Sequence, residues 1–186
     1  FFFVLLTPVE RMGNQQQGGV GIRVTGDDFE VIQLIGKGAF GKVWKVRKKD
    51  TGEIFAMKSL KKDAVIEENL IEHTIVEREI MLSMGHHPFI VNLDFAFQTD
   101  TDLYFVLEYV GGGSLMTLLR RSPELKESQV KFYAGEILLG LEALHMSNIV
   151  YRDLKLENVL IGSDGHCVLT DFGLSAKLKP EQSTVR

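Results

Sequence analysis

The chain has 186 residues, of which 45% are hydrophobic and 25% charged, an ordinary globular composition that excludes disorder as the default state. A net charge of −4 at pH 7 gives no sign of the basic surface that nucleic acid or an anionic bilayer attracts, so neither partner is favoured. The single cysteine, Cys167, cannot form an internal disulfide, so a reducing compartment, cytoplasmic and also nuclear, is the expected location.

The apolar run Phe1–Leu6 falls far short of the roughly 20 residues that cross a bilayer. It has neither a basic leading segment nor an Ala-x-Ala-like cleavage site, so it does not read as a secretory signal. Gly13 follows Met12, yet Gln17 stands where N-myristoylation requires Ser or Thr. Residues 1–26, rich in Gly and Gln between Gly13 and Gly21, read as a flexible leader.

From Phe29 the pattern changes to short alternating segments, Phe29 to Ile35, Lys42 to Lys48 and Glu53 to Leu60, which predict antiparallel strands. Asp50-Thr51-Gly52 connects the last two, with Gly52 suited to the positive φ of a tight turn. Asn69 to Met84 carries apolar residues at Leu70, Ile71, Ile75, Ile80 and Met84 and predicts a helix. Ile90 to Phe97 and Leu103 to Val110 predict a second hairpin about Gln98-Thr99-Asp100-Thr101-Asp102.

Gly111-Gly112-Gly113 then reads as a hinge or linker, with a plain loop as the alternative. Beyond it, Val130, Tyr133, Ala134, Ile137, Leu138, Leu141 and Leu144 recur at helical spacing and predict a long helix over Ser128 to Met146. A strand at Ile149 to Tyr151, a polar loop, and a hairpin of Val159 to Ile161 with His166 to Thr170 complete the reading.

Gly36-Lys37-Gly38-Ala39-Phe40-Gly41 is G-x-G-x-x-G, weak evidence by itself because several nucleotide folds use it. A dinucleotide fingerprint opens a helix, whereas Lys42-Val43-Trp44-Lys45-Val46 continues as strand. A Walker A reading fails because Val43 stands where a hydroxyl must hold magnesium. What remains is a strand-loop-strand flap whose backbone N–H groups can approach phosphates.

In the third strand Ile54, Ala56 and Lys58 share a face, so an apolar wall ends in an ammonium group. Lys58 by itself reads as a surface lysine covering apolar area; a carboxylate such as Glu77 on a packed helix would instead hold it for phosphate oxygens, with Glu72 and Glu79 as competitors. Tyr151-Arg152-Asp153-Leu154-Lys155-Leu156-Glu157-Asn158 is the most specific stretch. Asp153 can accept a proton from an incoming hydroxyl, Lys155 can neutralise a transferring phosphoryl group, and the Asn158 amide oxygen can hold a cation. Asp171-Phe172-Gly173 adds a carboxylate suited to a hard cation.

In this order the glycine flap, Ala56-Met57-Lys58, Glu77, the Tyr151–Asn158 loop and Asp171-Phe172-Gly173 resemble the protein-kinase signature, over about Asp27 to Leu178. The resemblance implies an α+β, protein-kinase-like fold. Its five-stranded antiparallel first lobe with one helix would occupy residues 27–110, and residues 111–186 would be the incomplete start of a mainly helical second lobe. It implies that Lys58 pairs with Glu77 and with the α- and β-phosphates of ATP, that Asp153 is the catalytic base, and that Asn158 and Asp171 hold Mg2+. The flap from Ile35 through Gly36, Lys37, Gly38, Ala39, Phe40 and Gly41 would cover the phosphates. Val43, Ala56 and Leu160 would sandwich adenine, Leu107 would be the gatekeeper, and the backbone of Glu108 and Val110 would bond the base edge. Glu157 and Thr170 would complete the nucleotide site.

Tyr151 in place of the usual His, together with Lys155, looks like the AGC group of serine/threonine kinases. Glu72-His73-Thr74, the flap sequence and Asp171-Phe172-Gly173-Leu174-Ser175 resemble its ribosomal-protein, mitogen/stress-activated and Akt-like branches. Met81, Leu93, Tyr151 and Phe172 match that family's stacked apolar spine. Ser114 departs from the pattern of cyclic-AMP-dependent relatives, where a glutamate contacts ribose and a substrate arginine. A basic context around the Ser/Thr acceptor therefore keeps only Glu157 as its acidic support.

His73, His86, His87 and Cys167 show no ligand-like spacing and are expected to be structural. The resemblance also implies an activating upstream kinase for a full-length form. It places an activation-segment phosphosite, an Ala-Pro-Glu anchor and further helices after Arg186. A non-catalytic nucleotide-binding or regulatory fragment is the second reading.

Overall fold

A computed structural model describes residues 24–38 and 41–178. The expectations for Ala39, Phe40 and the first 23 residues lie outside the described residues. The described residues form two compact units, one comprising those up to Ile71 together with Leu93–Tyr109, the other Glu72–Asn92 together with those from Val110 to Leu178.

The first unit is built on a five-stranded antiparallel sheet in the order β1-β2-β3-β5-β4. The strands are β1 (Phe29–Lys37), β2 (Gly41–Lys48), β3 (Ile54–Lys61), β4 (Leu93–Gln98) and β5 (Asp102–Glu108). Each expected strand is present. The fourth starts three residues later than its alternation suggests, because Ile90 bridges Leu169 in the second unit instead. Gly52 takes φ 74 in the turn closed by Lys48 N–H donating to Glu53 O at 2.8 Å, the conformation that only glycine adopts without cost.

Alternation sorts the sheet into two faces. Phe29, Val46, Phe55, Met57, Phe95, Phe97 and Val106 cluster with Val24 as the buried core. The Phe29 ring lies edge-on to Phe55 at 6.3 Å and stacks on Phe97 at 6.0 Å. Complete burial of one such side chain is worth roughly 1.5–3 kcal/mol. A short helix α1 (Lys62–Glu67), absent from the sequence reading, follows β3 and buries Val65.

Helix α2 (Ile71–Met84) buries Thr74, Glu77, Ile80 and Met81, a stripe that includes a carboxylate among its apolar members. In the second unit α3 (Leu115–Arg121) was not expected. Ser114 caps it, its hydroxyl accepting the Thr117 N–H at 3.2 Å, a favoured N-cap arrangement. Helix α4 (Glu127–Met146) matches the long helix of the sequence, but on a rotated face. Glu136, Gly140 and Leu144 are buried, whereas Val130 and Leu138, both expected inside, are exposed.

The short strands β6 (Ile149–Val150) and β9 (Ala176–Lys177) pair with each other, and β7 (Val159–Ile161) pairs with β8 (Cys167–Leu169). Gly112 N–H donates to Ile161 O, and Ile161 N–H donates to Gly113 O, both at 2.8 Å. The triple-glycine segment thus runs as a partner of β7. A Cβ on Gly112 would fall 2.5 Å from Ile161 O, so close approach is what requires glycine there.

Candidate active site

Within the first unit the glycine flap is a hairpin. Gly36 pairs with Val43 and Lys37 with Lys42, and Gly38 N–H donates to Gly41 O at 2.9 Å. Val43 lies opposite Lys58, and Ala56 lies opposite Leu107. Since paired residues share a face, Val43, Ala56, Lys58 and Leu107 all lie on the side of the sheet away from the Phe55–Met57 core. Ile35 is exposed at the end of β1, and Glu108 pairs with Phe55.

The second unit brings together Asp153, Lys155, Asn158, Tyr151, Thr170 and Asp171. Asp153 Oδ2 accepts two hydrogen bonds, from Lys155 Nζ at 2.7 Å and from Asn158 Nδ2 at 2.8 Å. Asn158 Nδ2 also donates to Asp153 O at 3.1 Å. One carboxylate oxygen of Asp153 is therefore occupied by the loop itself, and Oδ1 faces no hydrogen-bond donor among the described residues. The bond to Asp153 raises the Lys155 pKa and keeps the ammonium charged.

The loop is fastened to the segment around Asp171. Thr170 N–H donates to Asn158 O at 3.0 Å, and the Tyr151 hydroxyl donates to Thr170 O at 2.5 Å. Arg152 Nε donates to Leu174 O at 2.7 Å, and Ser175 Oγ donates to Tyr151 O at 3.0 Å. Arg152 and Asp171 both take left-handed backbone at φ 63 and φ 62, costly conformations that cluster at functional sites. Tyr151 and Phe172 are buried and meet edge to face at 5.5 Å, and Met81 is buried as well. Glu77 Oε2 lies 3.9 Å from where a Cβ on Gly173 would stand.

Of the other expected residues, Leu160 sits in β7 and bridges Ser114, Val110 is half-buried, and Glu157 is exposed in a single 3-10 turn. Ser114 is spent on capping α3. Cys167 is buried, and burial first, then Glu136, pushes its thiol up to about 12, consistent with an inert core position. Arg152 and the Tyr151 hydroxyl are further site residues that the sequence reading passed over, although both lie inside its most specific motif.

Among the described residues no group of three or more His, Cys, Asp or Glu is placed to hold a metal. The oxygen donors present are the Asn158 amide oxygen, left over once Nδ2 is used on Asp153, and the Asp171 carboxylate. Two hard oxygens fit a small cation that takes its remaining ligands from phosphate and water, and do not make an all-protein cage.

Residues 29–186 match the family described as protein kinase domain. The chain belongs to the protein kinase domain family. This kinase domain is 52% identical over 147 residues to a RAC family serine/threonine-protein kinase homolog of Dictyostelium discoideum, covering 79% of this chain and 33% of that protein. It is 50% identical over 160 residues to the serine/threonine-protein kinase SCH9 of Saccharomyces cerevisiae, covering 84% of this chain and 19% of that protein. It is 47% identical over 164 residues to human ribosomal protein S6 kinase alpha-4, covering 86% and 21%.

The chain thus spans a third or less of these relatives, which are serine/threonine kinases of the AGC kind. The five-stranded sheet and the helices beyond it are the sheet-rich lobe and the start of the helical lobe of a kinase domain. The family as a whole uses ATP and a divalent metal. No helix among the described residues is long and apolar enough to cross a membrane.

Proposed function

We propose that this chain carries the residues for Mg2+-dependent transfer of the ATP γ-phosphoryl group to serine or threonine of a protein substrate. The observation that carries the reading is the Asp153 carboxylate, held through Oδ2 by Asn158 and Lys155 with Oδ1 turned to neither. Oδ1 accepts the proton of the incoming hydroxyl as that oxygen bonds to phosphorus and the bond to the ADP oxygen breaks. Lys155, kept charged by Asp153, neutralises the phosphoryl oxygens. Asn158 and Asp171 hold Mg2+, which supplies charge neutralisation at the phosphates.

On the first unit, Lys58 binds phosphate oxygens, and Val43, Ala56 and Leu107 offer the apolar surface for the base. The expectation of a basic substrate is supported by Glu157 alone, because Ser114 brings no carboxylate to the position where cyclic-AMP-dependent relatives carry a glutamate, and its hydroxyl caps α3. Activation by an upstream kinase belongs to the same reading. The test is phosphorylation of Ser/Thr peptides by this chain beside Asp153→Asn, with MgATP binding measured in parallel. A loss of about 10²–10⁴-fold in rate is expected with nucleotide affinity kept. Equal phosphorylation by both proteins removes Asp153 from its role.

A further inference from the structure

Glu136 on α4 belongs to none of the kinase motifs, yet it is one of three acidic residues buried among the described residues, at 6% exposure. Its oxygens are divided between two donors. Oε2 accepts the backbone N–H of Cys167 at 2.8 Å, and Oε1 is 2.5 Å from His166 Nδ1. A buried carboxylate is tolerated only where such donors are supplied.

Cys167 is the first residue of β8, a strand of only three residues paired with β7 in the register Val159↔Leu169, Leu160↔Val168, Ile161↔Cys167. Asn158 directly precedes β7, and Thr170 and Asp171 directly follow β8. The two proposed metal donors therefore stand at the open end of this hairpin, tied by Thr170 N–H donating to Asn158 O. So short a ladder has few bonds of its own. The last residue of β8 is held by Leu169 N–H donating to Phe89 O and Val91 N–H donating to Leu169 O, both at 2.9 Å, and the charge-assisted bond from Glu136 holds its first N–H against α4.

We infer that Glu136 is a positioning residue for the metal-binding end of the site, holding the start of β8 against α4 and so setting where Asp171 lies relative to Asn158. This assignment rests on the nucleotide and metal reading given above. Groups bonded directly to a metal ligand change metal affinity by about 10–100-fold, and Glu136, which acts through β8, is expected at the low end of that range.

The experiment measures ATP affinity of the full chain with excess chelator and with excess Mg2+, and takes the ratio as the metal-dependent gain. Glu136→Ala is expected to lower that gain about tenfold while metal-free ATP affinity stays within about twofold. Glu136→Gln, whose amide oxygen still accepts the Cys167 N–H, is expected to retain the gain. Should Glu136→Ala not fold, Glu136→Asp decides: its carboxylate is one methylene too far back to meet both donors, and it is expected to lose the gain as well.

A folded Glu136→Ala or Glu136→Asp with the unmodified chain's gain overturns the assignment alone. A parallel fall of metal-free and metal-bound affinity also overturns it, because that marks a general structural role. Absence of any metal-dependent gain in the unmodified chain instead overturns the proposed function, and the assignment with it.

Discussion

Asn158 grips Asp153 twice, donating from one amide nitrogen to the carboxylate Oδ2 at 2.8 Å and to the backbone carbonyl at 3.1 Å. Asn158 is 5% exposed, so both acceptors lose a partner that water does not readily replace. Asn158→Ala is expected to cost about 1–3 kcal/mol in urea unfolding and to abolish the metal-dependent gain in ATP affinity. Asn158→Asp sets a second carboxylate against Asp153, which raises a folded-state pKa of the pair above its unfolded value. The destabilisation is then greatest at neutral pH and is relieved as pH falls toward about 4. Unfolding curves at the two pH values check this.

Tyr151 is 2% exposed and its hydroxyl donates to Thr170 O at 2.5 Å. Burial, with the nearby charges of Asp171 and Asp153, pushes the phenol pKa well above its ordinary value, so the group remains a donor throughout the neutral range. Tyr151→Phe keeps the edge contact with Phe172 but leaves the Thr170 carbonyl unsatisfied. A loss of about 1–3 kcal/mol is expected, unchanged between about pH 6 and pH 9, as read by calorimetry. A loss that varies steeply over that range is incompatible with a neutral donor.

Strands were legible because period-2 alternation survives when one face is buried and the other is not, as β2 and β3 illustrate with Val46, Phe55 and Met57 inside. The Asp153–Asn158 loop stands out in the sequence because the chemistry proposed for it needs those residue types in that order. Helices α1 and α3, of six and seven residues, are too short for a 3.6-residue period to register. For α3 the local signal was Ser114, an N-cap residue read instead as a departure from a family pattern. Strand β9 has two residues and pairs with Ile149–Val150 far back in the chain, which no local pattern encodes. The rotation of α4 has a specific cause. Glu136, Gly140 and Leu144 recur every four residues, a true helical stripe concealed by containing a carboxylate and a glycine.

His166 is exposed and its Nδ1 meets Glu136, a hydrogen bond that, with the carboxylate's charge, raises the imidazole pKa above the usual value. A raised folded-state pKa contributes stability in full below the unfolded value of about 6.5 and loses it as pH rises through the folded value. Thermal midpoints of the unmodified chain and His166→Ala should therefore differ more at about pH 5.5 than at about pH 9. A difference that grows with pH contradicts the ion pair.

Two glycines five residues apart on α4 should respond to alanine with opposite signs. A Cβ on Gly135 meets nothing within 4 Å, so Gly135→Ala gains helix propensity without a clash and should stabilise by roughly 0.5–1 kcal/mol. A Cβ on Gly140 would stand 3.1 Å from Phe89 O and 3.1 Å from Leu169 Cδ1. Leu169 can shift its side chain, but the Phe89 carbonyl accepts the Leu169 N–H at 2.9 Å and cannot retreat without breaking that bond. The added methyl then forces α4 away from β8, and overpacking of this kind costs about 1–3 kcal/mol, exceeding the propensity gain. Denaturant midpoints should rise for Gly135→Ala and fall for Gly140→Ala. Since α4 also carries Glu136, Gly140→Ala should reduce the metal-dependent gain in ATP affinity, and Gly135→Ala should leave it unchanged.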